Sequence, residues 1–373
     1  MRFLIYADYA ASSPMLPRAL DALVRFSGTV YGNPSSLHTF GEEAASVMAQ
    51  ARQKCASLIG AEPDEILFTS GGTEADNLAL RGMDWPWIAV SAIEHPAVLR
   101  TAETLGERGM PLTVLPADGS GAVPVHLPET ARGPGLVSLM LANNETGVLQ
   151  PVKEMAALAH ERGALFHCDA VQGAGHIPID VKALDCDMMS VSAHKLGGPK
   201  GVGFLYVRRG VKLNPVLTGG GQEHGLRSGT ESVPLIGAFG EACAESMERM
   251  EEDALRLARI RDAIEAELLT LPDVRRNGEG KRLPGISSLS FGGIGGEALT
   301  LMCDLKDLAV SSGSACHAGD ERPSHVLTAM NVPERYRSSA LRISLGWDTR
   351  EEDAGGIVRA VRESAETLRG MNG

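Results

Sequence analysis

No apolar run in this 373-residue chain approaches the ~20 residues that a membrane-spanning helix needs. Nor does the amino terminus read as a secretory signal, because Met1-Arg2-Phe3-Leu4-Ile5-Tyr6 soon reaches Asp8. Both absences point away from a membrane. The six cysteines (Cys55, Cys168, Cys186, Cys243, Cys303 and Cys316) include no C-x-x-C pair. A disulfide framework or a zinc site is therefore not expected, and a reducing cytoplasm is the natural setting. Basic charge is also scarce: 35 Lys and Arg against 47 Asp and Glu leave a formal charge of −12. Phosphate backbones need a basic face, so nucleic acid is not the expected partner. Internal repeats and low-complexity segments are absent as well.

What is present is ordinary globular material, 43% hydrophobic and 22% charged, in a chain long enough for one or two domains. Apolar runs at Glu65–Thr69, Trp87–Ala92, Leu136–Leu141, Ala164–His167 and Met188–Ser192 read as buried strands. Helical patterns at Glu42–Ile59, Ala97–Glu107 and Val152–Arg162 lie between them. This alternation predicts an α/β fold with a mainly parallel sheet covered on both faces. Ligands in such sheets gather at the carboxyl ends of the strands. From about Val233 the pattern changes. A long charged helix near Pro234–Leu271 leads into a strand at Gly285–Phe291, a helix at Glu297–Asp304 and a small-residue loop at Ser311–Gly319. A strand at Ala340–Leu345 and a closing helix from Arg350 follow. Residues 15–250 are expected to form a large domain, and 1–14 with 251–373 a smaller α+β domain.

The run Ser190-Val191-Ser192-Ala193-His194-Lys195, followed by Leu196-Gly197-Gly198-Pro199-Lys200-Gly201, sets a lysine after a small-residue turn with hydroxyls beside it. That suits an amine that condenses with an aldehyde, which is how pyridoxal phosphate is held: a Schiff base to lysine, with hydroxyls near its phosphate. A solvated surface loop is the plain alternative. Thr69-Ser70-Gly71-Gly72-Thr73-Glu74-Ala75-Asp76-Asn77 follows a strand and opens a helix. Its backbone N–H groups, the helix dipole and the Thr73 hydroxyl form a cup for one phosphate, although the same residues also make an ordinary capped turn.

Cys168-Asp169-Ala170-Val171-Gln172 ends another strand. A carboxylate there can face a pyridine nitrogen and raise its pKa, and Gln172 can bond a ring hydroxyl; Asp169 capping the next turn is the alternative. His95, in Glu94-His95-Pro96, can stack on a ring and shuttle a proton, or be purely structural. Asn143-Asn144-Glu145-Thr146-Gly147 offers a further amide or simply a turn. Cys316 differs from the other five cysteines, which lie in apolar or helical contexts. It sits in the polar, small-residue run Ser311-Ser312-Gly313-Ser314-Ala315-Cys316-His317-Ala318-Gly319-Asp320, where His317 can lower its pKa. An incidental loop cysteine is the competing reading.

Taken in order, these segments resemble the cysteine desulfurases of the nitrogenase and iron–sulfur assembly type (NifS/IscS-like), in the class V aminotransferase group of fold-type I pyridoxal phosphate enzymes. The resemblance covers nearly the whole chain. It begins at Tyr6-Ala7-Asp8-Tyr9-Ala10-Ala11-Ser12-Ser13-Pro14 and Gly32-Asn33-Pro34-Ser35-Ser36-Leu37-His38. It continues through Gly225-Leu226-Arg227-Ser228-Gly229-Thr230 and the Cys316 loop to Ser339-Ala340-Leu341-Arg342-Ile343-Ser344-Leu345-Gly346.

The resemblance implies a seven-stranded sheet in the large domain, with the smaller domain carrying a mobile cysteine loop. It implies Lys195 as the cofactor-linking lysine and the base for the substrate Cα proton. Gly72, Thr73, Ser192 and His194 match phosphate-binding positions. Thr230 matches a residue that reaches the neighbouring subunit's phosphate, which implies a homodimer. Asp169, Gln172 and Asn144 match ring-binding positions and His95 the stacking imidazole. Arg342 and Asn33 match the groups that hold the substrate carboxylate. L-Cysteine would yield L-alanine and a persulfide on Cys316, for delivery to a sulfur-acceptor protein.

His317 and Asp320-Glu321-Arg322 depart from the family's usual loop residues, and the chain stops soon after its last helix. An iron–sulfur scaffold and other acceptors therefore both stay open. The rivals are a selenocysteine lyase or aminotransferase of the same fold type, and a non-catalytic partner-binding subunit. The loop thiol speaks for sulfur transfer, which a transaminase does not need.

Overall fold

The computed structural model of the protein describes residues 4–313 and 323–372. The chain opens with a short strand β1 (Ile5–Tyr6) and helices α1 (Pro17–Thr29) and α2 (Thr39–Ile59). Strands and helices then alternate: β2 (Ile66–Thr69), α3 (Gly72–Arg81), β3 (Ile88–Ser91), α4 (Pro96–Glu107), β4 (Leu112–Leu115) and β5 (Leu136–Ser138). The series continues with α5 (Val152–Glu161), β6 (Leu165–Asp169), α6 (Val181–Leu184), β7 (Met188–Ser192) and β8 (Gly203–Val207).

These seven strands, β2 to β8, form one sheet in the order β2-β8-β7-β6-β5-β3-β4. Only β8 runs against the others, pairing antiparallel with β2 and β7. The expected mainly parallel sheet is therefore present. Its inner strands are buried on both faces because helices cover both sides: every residue of β3, β5 and β7 is buried. Two strands of this sheet went unread in the sequence. β4 is a half-exposed edge strand that follows Pro111, and β8 sits among glycines that look like loop. β8 matters for the site because Val191↔Phe204 and Ser192↔Gly203 close the base of the segment that carries Lys195.

Helix α7 (Val233–Leu268) has 36 residues, about 54 Å at 1.5 Å per residue. Its first half buries Ile236, Phe239, Ala242 and Cys243 in the core under the large sheet. Its second half buries Leu257, Ile260, Ile264 and Leu268 in a separate apolar cluster. That second cluster is completed by β9 (Val274–Arg276), β10 (Ile286–Phe291), α8 (Gly296–Asp304), β11 (Leu308–Ala309), β12 (Ala340–Ser344) and α11 (Asp353–Asn372). β12, β10 and β9 make an antiparallel sheet. β1 pairs parallel with β11, and Ala7 packs into the same cluster, so the first residues join the C-terminal part. The short helices α9 (His325–Ala329) and α10 (Glu334–Arg337) lie between β11 and β12, and Val326, Leu327 and Tyr336 of this stretch pack on the large core instead.

Candidate active site

A cavity of about 250 Å³ lies at the carboxyl edge of the large sheet. Its lining includes Gly72, Thr73, His95, Asn144, Asp169, Gln172, Ser192, His194, Lys195 and Arg342. Residues from six widely separated segments thus meet in one place, because β2, β3, β6 and β7 all point their C-terminal ends there.

The donor-rich end is built by α3 and β7. Gly71 caps α3 with φ 152° and ψ −176°, a conformation open essentially to glycine alone, which turns the first N–H groups of the helix outward. Ser192 ends β7, and a 3₁₀ turn over Ala193–Lys195 carries His194 and Lys195. His194 Nδ1 lies 3.3 Å from Ser12 Oγ. Burial, followed by the positive charges of Lys195 and Lys200, drives its pKa down to about 4. A neutral imidazole between two cations marks a place suited to an anion. Lys195 Nζ donates to the carbonyls of Ala10 (2.6 Å) and Ala11 (2.8 Å), and Gln172 Nε2 donates to the same Ala10 carbonyl at 3.0 Å.

A second part of the lining is acidic. Asp169 ends β6, is buried, and accepts the Val171 N–H at 2.9 Å. Burial raises its pKa to about 6, while the Val171 N–H and the charge on Lys195 pull it back. Asp76 also lines the cavity; it is buried, and Oδ1 has no hydrogen-bond partner among the described residues. Burial, then repulsion from Asp169, pushes Asp76 well above the usual carboxylate range. Behind them Glu94, fully buried, accepts from Ser91 Oγ at 2.6 Å and Met140 N–H at 2.8 Å, and burial lifts it to about 8.

His95 caps α4: its Nδ1 accepts the Ala97 N–H at 3.1 Å, which puts the proton of the neutral ring on Nε2. Arg342, on β12, is 2% exposed. It donates to Asn144 O at 2.9 Å and to Asp8 Oδ1 at 2.8 Å, while Nε has no partner among the described residues. A buried guanidinium with a spare N–H beside a cavity is a fitting receptor for a carboxylate.

Two expected site residues stand apart from this cavity. Asn33 is exposed, with Oδ1 accepting the Ser35 N–H of its own turn at 2.9 Å, and Thr230 is exposed too. Cys316, His317 and Asp320-Glu321-Arg322 lie outside the described residues. Asp76 and Asp8 were missed in the sequence. For Asp76 a signal existed: four residues after Gly72 and three before Ala79, it shares their buried face of α3. For Asp8, 334 residues from its partner Arg342, none did.

The donor set fits pyridoxal phosphate. It offers an amine for the aldehyde, a carboxylate with a raised pKa for the ring nitrogen, and a helix start with hydroxyls for the phosphate.

The family model for aminotransferase class-V matches residues 5–355. A cysteine desulfurase IscS of Methanosarcina thermophila is 41% identical over 377 residues, covering 99% of this chain and 93% of that protein. A solved NifS-like protein superposes with a TM-score of 0.89 at 35% identity, over 98% of this chain and 99% of its own. A structure described as SspA in complex with cysteine gives 0.80 at 32% identity, over 91% and 98% of the two chains. With matches of this extent on both sequence and fold, the chain belongs to the class-V aminotransferases and, within them, to the cysteine desulfurases.

Proposed function

We propose that the chain uses pyridoxal phosphate to convert L-cysteine to L-alanine, taking the sulfur onto Cys316 as a persulfide. The observation that carries this reading is the meeting of Lys195, Asp169, Arg342 and the start of α3 on one cavity. Bound there, the cofactor supplies an aldehyde for covalent attachment and an electron sink for the pair left when the Cα–H bond breaks.

The chain's own residues do the rest. Gly72 and Thr73 offer N–H and hydroxyl donors to the phosphate, joined by Ser192 and neutral His194. Ionised Asp169 favours a protonated ring nitrogen, and Gln172 and Asn144 orient the ring oxygen. Arg342 receives the substrate carboxylate, which fixes the Cα proton toward Lys195 Nζ, the base that takes it. The Cys316 thiolate forms the S–S bond as the substrate C–S bond breaks. The β-carbon then needs a proton, and His95 holds one on Nε2 at the cavity wall.

A homodimer belongs to the same reading. Thr230 and Asn33 lie in exposed stretches that carry large apolar side chains: Val216 and Leu217 in one, Tyr31, Leu37 and Phe40 in the other. Such surface is suited to burial against a second copy, with Thr230 reaching the partner's phosphate site and Asn33 a substrate carboxylate. The persulfide would pass to an acceptor protein, an iron–sulfur scaffold or another. The five described cysteines are buried and free, in keeping with a reducing cytoplasm.

The test is release of alanine and sulfide from L-cysteine in the presence of a thiol reductant, with Cys316→Ser as the comparison. The reading requires that Cys316→Ser keep the visible cofactor band and lose sulfide release. Full sulfide release by that variant would end the persulfide step. Activity confined to selenocysteine would indicate a selenocysteine lyase, amino-group transfer to a 2-oxo acid an aminotransferase, and a colourless wild type a partner-binding subunit.

A further inference from the structure

Asp169 ends β6 and Gln172 lies in the turn after it; four residues beyond Gln172, His176 reaches the lysine from behind. Residues 170–177 coil tightly, with Gly173 and Ala174 N–H donating to Ala170 O and His176 and Ile177 N–H donating to Gly173 O. This coil brings His176 Nε2 to 3.1 Å from the backbone carbonyl of Lys195. The approach is close along its length: a Cβ on Gly175 would lie 2.6 Å from Leu196 Cβ, the residue after the lysine. Lys195 is thus held at two points. Ala10 and Ala11 accept from its amine on the cavity side, and His176 meets its carbonyl on the far side.

We propose that His176 is a positioning residue for Lys195: its Nε2–H, donated to the Lys195 carbonyl, fixes the turn from which the amine reaches the cavity. A carbonyl can only accept, so Nε2 must carry the proton. Burial lowers the pKa of His176, against smaller opposing effects of this bond and of the Asp253 charge. Burial thus favours the neutral ring, and a neutral imidazole donates from one nitrogen only. Around it stand Arg249 and Asp253 from α7, and Tyr9 from the N-terminal segment. Arg249 is occupied with Asp253 Oδ2 at 3.1 Å and with Trp347 O at 3.2 Å.

The turn has reason to need such a bond. It is one 3₁₀ turn of three residues leading into a glycine-rich stretch, with little secondary structure of its own to hold a side chain in line. Displacement of a reacting amine by about 1 Å is enough to cost on the order of 10²-fold in rate. The proposal rests on the reading of Lys195 as the reacting amine.

The experiment compares wild-type, His176→Leu and His176→Gln holoenzymes, with Lys195→Ala as the control. His176→Leu removes the donor; His176→Gln keeps an N–H that can reach the carbonyl. Loss of the bond should lower kcat about tenfold with KM within about twofold. It should also move the pH midpoint of the bound cofactor's visible band by at least about half a unit, and His176→Gln should restore both. A His176→Leu variant that melts earlier yet keeps kcat, KM and band midpoint would reduce the residue to a structural one and overturn the proposal. So would failure of His176→Gln to restore them. If His176→Leu does not fold, His176→Asn, whose shorter amide falls short of the carbonyl, is held to the same criteria. Wild type that takes up no cofactor, or a Lys195→Ala variant that keeps the wild-type band and activity, overturns the Lys195 reading and this one together. A coloured, Lys195-dependent wild type beside an unaffected His176→Leu overturns this one alone.

Discussion

At one end of the cavity the start of α3, Ser192, His194 and Lys195 gather donors and positive charge, while on the acidic wall Asp76 and Asp169, with Glu94 behind them, gather three carboxyls. Both ends are buried, yet burial acts on them in opposite directions. It strips the proton from His194 and forces protons onto Asp76 and Glu94, because each charged form has lost its water. Asp169 is the exception on its wall: burial lifts it only to about 6, because the Val171 N–H and then the charge on Lys195 favour its ionised form. The contrast suggests a division of labour, in which the donor end takes an anion and the acid wall keeps a single negative charge where a cationic ring nitrogen would sit.

The largest expected effects come from removing the two residues that tie the walls together. Lys195→Ala should abolish covalent cofactor attachment and cut alanine formation on the order of 10³-fold or more. Absorbance and turnover on the same sample measure both. Asp169→Asn keeps the shape of the acid wall and removes its one charge. A loss on the order of 10² in kcat is expected, with cofactor still bound. Near wild-type turnover in Asp169→Asn would break the comparison, because the acid wall would then be only packing.

Much of the donor end was legible in sequence because its residues are neighbours along the chain. Ser192, His194 and Lys195 share one turn, and Gly72 with Thr73 opens one helix after a recognisable strand. The acid wall was half legible. Asp169 ends a strand and Asp76 shares the buried face of α3 with Gly72 and Ala79, whereas Glu94 looks in sequence like any polar residue beside a turn, and only the fold reveals that the three are buried together. Arg342 could be found by resemblance, but its anchor Asp8 lies at the other end of the chain. β8 was lost among glycines, although its reversed direction is what closes the Lys195 segment into a hairpin.

A smaller effect is expected at the rim, where Arg342 stands between Asp8 and Asn144. Arg342→Lys keeps the charge and loses the planar fork. Loss of one or two charge-assisted bonds should raise KM for L-cysteine about ten- to a hundredfold, with kcat changed much less. Steady-state kinetics separate the two. A fall in kcat at constant KM would move Arg342 from substrate capture to the chemistry of the walls.

The least conspicuous effect, and the sharpest test of the acid wall, is how stability depends on pH. Glu94 titrates near 4.5 when free and at about 8 when folded. Between those values the native state holds a proton that the unfolded chain has released. Stability must therefore fall as pH rises through this window, since the slope follows the protons bound unfolded minus those bound native. Below about pH 4.5 both states are protonated and the penalty is absent; above about 8 it is complete, on the order of a few kcal/mol. Glu94→Gln stays neutral at every pH, and its carbonyl oxygen can still accept from Ser91 Oγ and Met140 N–H. Urea midpoints of the apoprotein at pH 5 and pH 8 should therefore lie closer together in the variant than in wild type, with the gain concentrated at pH 8. Parallel curves would mean that Glu94 is already ionised in the fold, against the burial that should keep its proton on.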